Sequence, residues 1–154
     1  MKLLALPPQS ELREAFTYED GVLLRRGKPT GRKNTSGRLQ ISYKQKRYIS
    51  ARLIWAYHHG DPGDLEVDHI DGDSGNDRIE NLRLATHTQN QWNRPKKGVH
   101  WDEHNKVWVA QLSFNGKQHK LGQSKDRAAM VKLHQRTCKE QHGEFSKLCE
   151  ELSE

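Results

Sequence analysis

Apolar residues along this 154-residue chain come in short bursts of two different periods, and the alternation between them predicts the elements. Glu11 to Tyr18 reads as a short helix with Ser10 as its N-cap, and Gly21 to Arg26 as a strand. A loop rich in Gly, Lys and Arg follows from Gly27 to Gly37. Leu39, Ile41 and Tyr43 alternate with polar residues, Lys44-Gln45-Lys46 turns the chain and Tyr48-Ile49 returns, which predicts a β-hairpin with basic edges. Leu53, Ile54, Ala56 and Tyr57 fall at helical spacing, so a helix is expected over Ala51 to His59, stopped by Gly60.

The period changes again in the middle of the chain. Leu65 to His69 reads as a short strand, Asp71 to Asp77 as a loop, and Asn81 to Ala85 as a second strand carrying Asn81 and Arg83 on one face. A helix capped by Thr86 or Thr88 must end near Arg94, because Pro95 follows. Beyond the basic junction Asn93 to Lys97, three alternating runs predict a three-stranded antiparallel meander. They hold Val99 and Trp101, then Trp108, Ala110, Leu112 and Phe114, then His119 and Leu121. Ser124 can cap a last helix running to about His142, with Gly143 at its end. Strand parity puts Val99, Trp101, Trp108, Ala110, Leu112 and Leu121 on the helix side and leaves His100, Gln111, Ser113, Gln118 and Lys120 on the other. The tryptophans are read as core.

Composition makes both halves small and polar. With 32% hydrophobic residues and a mean hydropathy of −1.04, two modest modules fit better than one large core. No apolar run approaches the ~20 residues of a membrane span, and Pro7-Pro8 stops the first one. Cys138 and Cys149 lack CxxC spacing, so neither a disulfide framework nor a four-ligand zinc site is expected, and a reducing, cytoplasmic setting follows.

Charge changes the picture most. The net charge is +6, yet residues 21–60 carry ten cations and no anion, whereas residues 61–90 carry two cations and eight anions. A long single-sign basic block points to a polyphosphate partner rather than to an ordinary solvated face, which mixes signs. The acidic centre holds Asp68, His69, Asp71, Asp73 and Asp77, with Asn81 and Asn90 downstream. Carboxylate and amide oxygens suit a hard divalent cation such as Mg²⁺, and an imidazole beside it can take a proton from water. Asp71, Asp73 and Asp77 are read as loop formers whose side chains cap local backbone amides, and the spacing is poor for a calcium loop. Surface placement is expected for His87. Arg78 and Arg83 are open between phosphate clamps and ion pairs.

Val67-Asp68-His69-Ile70-Asp71-Gly72, then Asn76-Asp77-Arg78-Ile79-Glu80-Asn81-Leu82-Arg83 and Thr86-His87-Thr88-Gln89-Asn90, resemble the HNH endonucleases of the phage and intron homing type. The likeness spans roughly residues 10–94. It implies a ββα-metal fold with Asp68 and Asn90 as metal ligands, His69 as general base and Asn81 as the residue that orients the His69 ring. It also implies one Mg²⁺ or Mn²⁺ per active site and hydrolysis that leaves 3′-hydroxyl and 5′-phosphate ends. Asn90 stands where the family often has His, which favours a harder cation than Zn²⁺. Ser50-Ala51-Arg52 departs from the usual lead-in, so no catalytic role is assigned there. Lys97-Gly98-Val99-His100-Trp101, Val107 to Leu112 and Lys120-Leu121-Gly122, with Ala128-Ala129 and His142 to Phe145, resemble the APETALA2-type (ethylene-response-factor) DNA-binding domain, in which a sheet enters the major groove.

The expectation is therefore an α+β protein of two domains. Residues 1–95 would hold the ββα-metal nuclease behind a basic hairpin, and residues 96–154 a three-stranded sheet packed on one helix, with a C-terminal tail. Site-specific cleavage of double-stranded DNA by a monomer is expected, without a small-molecule cofactor or a membrane, in the host cytoplasm if the protein is phage-encoded. DNA contacts are assigned to Arg32, Lys33, Lys46 and Arg47 in the first domain and to Lys97, His100, Gln111, Ser113, Gln118 and Lys120 in the second. The rivals are a non-catalytic DNA-binding regulator, in which the acidic loop is only structural, and RNA binding or cleavage of branched DNA.

Overall fold

Ten residues of apolar helix organise the first half of the protein. The computed structural model describes residues 4–93 and 98–149, without the side chains of 147–149. Lys97, the rest of the basic junction after Asn93 and the side chain of Cys149 lie outside the described residues. The chain is α+β, built from small antiparallel sheets, and divides into two units, Met1–His87 and Thr88–Glu154. Among the described residues no helix is long and apolar enough to cross a membrane.

The first unit begins with α1 (Gln9–Ala15) and a meander of β1 (Thr17–Glu19), β2 (Val22–Arg25) and β3 (Lys28–Pro29). A second three-stranded sheet follows, formed by β4 (Arg32–Lys33), β5 (Leu39–Tyr43) and β6 (Lys46–Ile49). Then come α2 (Ser50–His59), β7 (Glu66–His69), a 3-10 turn at Ile79–Asn81 and β8 (Leu82–Ala85). Leu53 and Ile54 of α2 are completely buried, and they lie in one core with Leu12, Phe16, Leu23, Ile41, Tyr43, Tyr48 and Leu82. The helix packs against α1, β2, β5, β6, β7 and the 79–81 turn. It stops at Gly60, whose φ of 89° is open to glycine at little cost.

Sequence and structure part in several places. The first helix ends at Ala15 rather than Tyr18: Phe16 is already extended, its N–H still bonded to Leu12 and its ring buried. It is led in by Pro8, not capped by Ser10. The 27–37 loop contains the two short strands β3 and β4, because Arg26 and Gly27 take positive φ and turn the chain back onto β2. Asn81 sits in the 3-10 turn instead of opening β8, although its carbonyl extends the β7–β8 ladder by accepting from Ile70 N–H at 2.8 Å.

The second unit takes most of α3 (His87–Trp92), and continues with β9 (Val99–Asp102), β10 (Val107–Phe114), β11 (Lys117–Ser124), α4 (Arg127–His142) and a 3-10 segment, Gly143–Cys149. The sheet runs in the order β11-β10-β9, and α4 packs against all three strands. Asp126 caps α4 by accepting from Ala129 N–H, whereas the expected cap, Ser124, accepts from Asp126 N–H. Trp92 stacks on His142 with centroids 4.5 Å apart. Trp101 departs from the core reading: it is 40% exposed, with its indole N–H donated to Glu103. Cys138 is completely buried and disulfide-bonded, against the expectation of free thiols. The chain reverses at Gly143, so that the 3-10 segment packs on α4, a closure the cysteine spacing did not show.

Gly21 is a narrow point of the first unit. Its φ is +87°, and an added Cβ would lie 2.9 Å from the backbone nitrogen of Arg78. Both the backbone geometry and the close approach exclude a side chain, so Gly21→Ala is expected to destabilise the protein by about 1–3 kcal/mol in denaturant titration. An unchanged midpoint would show that the β1–β2 turn does not press on the segment around Arg78.

Candidate active site

Two acid-base pairs and one ring of amide hydrogen bonds hold the acidic centre. The β7–β8 register sets Asp68 opposite Arg83 and His69 opposite Leu82. Asp68 is 5% exposed, and its Oδ2 accepts from Arg83 Nε at 2.9 Å. A buried carboxylate needs such a compensating charge, which makes Arg83 an ion-pair partner here rather than a solvent-facing phosphate clamp. Arg78 by contrast lies on the surface, 3.7 Å from Asp20.

The loop between the strands is built by its own side chains. Asp71 Oδ1 accepts from Asp73 N–H and from Asn81 Nδ2, and Asp71 Oδ2 accepts from Asn76 Nδ2, each at 2.8 Å. Asp73 Oδ1 accepts from Gly75 N–H at 2.8 Å. Asn81 returns the favour by accepting from Asp71 N–H at 3.1 Å and donating to Asn76 O at 2.9 Å. Asp71 and Asp73 are loop formers, as their composition implies. Burial works to raise the Asp71 pKa, but hydrogen bonds from Asn76, Asn81 and Asp73 N–H outweigh it and leave the carboxyl below its ordinary value.

Asp77 behaves differently, and sequence reasoning missed it. Its side chain is 4% exposed and accepts from His69 Nε2 at 2.7 Å, so it is no backbone cap. The β1–β2 hairpin sets the position of this segment: Tyr18 Oη accepts from Ile79 N–H at 2.9 Å, and Gly21 abuts Arg78. Only the eight-residue return from His69 hinted at the pair, and in a loop of three aspartates that is a weak signal. On the neighbouring helix Arg52 donates to Leu65 O and Gly63 O, tying the start of β7 to α2. Partial burial pulls its guanidinium below its ordinary pKa, against the opposing fields of Asp61 and Glu66.

The sequence-assigned residues thus fall into groups. Asp68 and His69 are adjacent on β7, and Asn81 joins Asp71 and Asn76. Asn90 lies on α3 in the second unit. His87 is 74% exposed at its side chain and pairs with Glu66 at 2.8 Å. Among the described residues no three His, Cys, Asp or Glu side chains form a cation cage. Carboxylate and amide oxygens of this kind suit a cation that keeps most of its water and takes only one or two protein ligands, as Mg²⁺ does.

Two exposed polar faces accompany this centre. In the β4-β5-β6 sheet Ile41 pairs with Tyr48, both buried, so the alternate positions face outward. Arg32 pairs with Gln40 and Arg47 with Ser42 on that outer face, while Lys33 and Lys46 pair with Leu39 and Tyr43 on the inner side. In the second unit Trp108 pairs with Trp101, Ala110 with Val99, and Gly122 faces Leu133 and Met130 of α4. His100, Gln111, Ser113, Gln118 and Lys120 take the other side of that sheet, beyond an irregularity between Ala110 and Gln111. Lys120 there contacts Gln123.

Residues 51–92, which run from α2 through α3, match the HNH endonuclease family. Over 123 residues, 71% of this chain and 98% of the relative, the sequence is 36% identical to Protein 3.8 of Escherichia phage T7. An 89-residue stretch, 55% of this chain, is 34% identical to Uncharacterized HNH endonuclease L560 of Acanthamoeba polyphaga mimivirus, and spans 47% of that protein. No solved structure matches the chain.

The lowered pKa of Asp71 has a pH signature. A depressed folded-state value contributes stability above the unfolded-state pKa, about 3.9, and loses it as pH falls through the folded-state value. Asp71→Asn is therefore expected to cost stability at neutral pH, and its gap to wild type should close in acid, below about pH 4. Denaturation midpoints across pH for both proteins measure this; a gap that stays constant into acid would show that the loop does not rest on the carboxylate.

Proposed function

The chain belongs to the family of Protein 3.8 of Escherichia phage T7 and carries an HNH endonuclease domain at residues 51–92, and from that premise we propose that it is a metal-dependent, site-specific DNA endonuclease of the homing type. The observation that carries the reading is the adjacency of a buried carboxylate, Asp68, and a largely buried imidazole, His69, on one strand inside that domain. A regulator that only bound DNA would gain nothing from burying an Asp-His step beside an arginine at a cost in desolvation.

In this reading His69 takes the proton of the attacking water, and the scissile phosphodiester breaks to leave 3′-hydroxyl and 5′-phosphate ends. Asp68 would hold one Mg²⁺ or Mn²⁺, with Asn90 keeping the second-ligand role that the family resemblance gives it. The bound cation supplies Lewis-acid stabilisation of the developing 3′-oxyanion. Arg83 holds the Asp68 carboxylate in one orientation and offsets its charge. Asn81 braces the loop through Asp71 and Asn76, which fixes the strand ends on which Asp68 and His69 stand.

Double-stranded DNA is the substrate proposed, held on phosphates by the basic sheet. Arg32 and Arg47 share its outer face with Gln40 and Ser42, a set able to meet both phosphates and base edges. The sheet of the second unit offers a polar face of His100, Gln111, Ser113, Gln118 and Lys120, which we assign to sequence reading on the APETALA2-type resemblance; the same resemblance adds Lys97, which lies outside the described residues.

Wild type is expected to nick or cut plasmid carrying its site with Mg²⁺, to stop in EDTA, and to lose at least ~10²-fold in rate as His69→Ala. Equal cutting by wild type and His69→Ala would contradict the mechanism, and binding without any cutting would favour the regulator. Branched DNA and structured RNA in the same assay identify a structure-specific nuclease if they are preferred. Arg32→Ala and Arg47→Ala should each weaken DNA binding and flatten the log-affinity against log-salt slope by about 1. An unchanged slope would remove that sheet from the phosphate contact.

A further inference from the structure

Resting on the nuclease reading, the geometry points to Asp77, not Asn81, as the residue that positions the imidazole of His69. The Asp77 carboxylate is almost completely buried and lies 2.7 Å from His69 Nε2. An ionised carboxylate only accepts, so the proton of that bond sits on Nε2. In the neutral ring this makes Nδ1 the basic nitrogen, the one able to take a proton from water. The amide of Asn81 is committed elsewhere: its oxygen takes Asp71 N–H, and its nitrogen serves Asp71 Oδ1 and Asn76 O. Asn81 therefore shapes the loop, and Asp77 sets the tautomer and the ring orientation.

The fold prepares Asp77 for this from the opposite side. Ile79 N–H is held by the Tyr18 hydroxyl, Gly21 presses against the Arg78 backbone, and Asn81 N–H closes the 3-10 turn onto Arg78 O. A buried carboxylate on so constrained a backbone holds its partner in one orientation, and the rate gain from an oriented base is lost if the ring can turn. Among the described residues, Asp77 bonds the imidazole and Asp71 lies within its electrostatic reach. Arg83 is engaged with Asp68 next along the strand.

The test reads the ring before it reads the reaction. Long-range ¹⁵N–¹H correlation spectra, taken in alkaline buffer once the ring nitrogens report the neutral form, show which nitrogen carries the proton, and His69→Gln assigns the signal among the nine histidines. His69 is expected to be protonated at Nε2 in wild type and to move towards a mixture of tautomers in Asp77→Ala. In single-turnover cleavage Asp77→Ala should lose roughly 10²-fold in rate with the half-saturating DNA concentration changed less than about twofold, and Asp77→Asn, which keeps an acceptor, should lose less. If Asp77→Ala does not fold, the wild-type tautomer and the Asp77→Asn rate carry the test. A wild-type ring protonated at Nδ1, or an Asp77→Ala protein that cuts at the wild-type rate, would overturn the assignment while leaving the nuclease reading intact. A wild type that cuts no nucleic acid although its ring reports Nε2–H would sink the nuclease reading, and with it the catalytic purpose of the pair.

Discussion

The first unit depends on the burial of one short helix. Ser50 to His59 contributes Leu53 and Ile54 with no exposed surface, and a polar chain of mean hydropathy −1.04 has few such residues to spend. One side of the helix supports the basic sheet through β5 and β6, and another supports β7 and the 79–81 turn. Arg52 adds a polar tie to the carbonyls of Gly63 and Leu65 at the start of β7. The basic surface and the acidic loop therefore share one hydrophobic support. Burying a side chain of this size stabilises by about 1.5–3 kcal/mol, so a few such residues set the geometry of many charged ones.

Given that support, the electrostatics become a question of where each carboxylate goes. Asp71 and Asp73 spend their oxygens on amides of their own loop, and Asp68 shares one with Arg83. Asp77 gives one to His69. A concentration of negative charge next to a basic sheet would repel a phosphate chain if it were free. Most of it is already engaged, and on the proposed function the chemistry would fall to the step at Asp68 and His69.

How much of this was legible depended on the range of the contact. Periodicity located α2, the β5–β6 hairpin, β7, the meander and α4, because each repeats a pattern over several residues. It missed β3 and β4, two residues each, which owe their existence to positive-φ turns rather than to any apolar pattern. Asp68 and His69 were readable as a local motif within a recognisable family. Asp77 was not, since an aspartate that caps a loop and one that turns inward to a histidine look alike until Tyr18, sixty-one positions from Ile79, fixes the backbone between them. Asn81 follows the same pattern: the family resemblance gave it to the histidine and parity set it on a strand face with Arg83, but it sits in a 3-10 turn and its amide bonds within the loop.

The central claim is that, of the aspartates crowded between Val67 and Asp77, Asp71 and Asp73 serve the loop and Asp68 serves the phosphate. The direct test is the single-turnover cleavage rate of Asp68→Asn beside that of Asp73→Asn, with Mg²⁺ and with folding checked by circular dichroism. Asp68→Asn should lose roughly 10²-fold or more, and Asp73→Asn should stay within about threefold of wild type. Equal losses in the two proteins, or an Asp68→Asn that cuts as wild type does, would contradict the account.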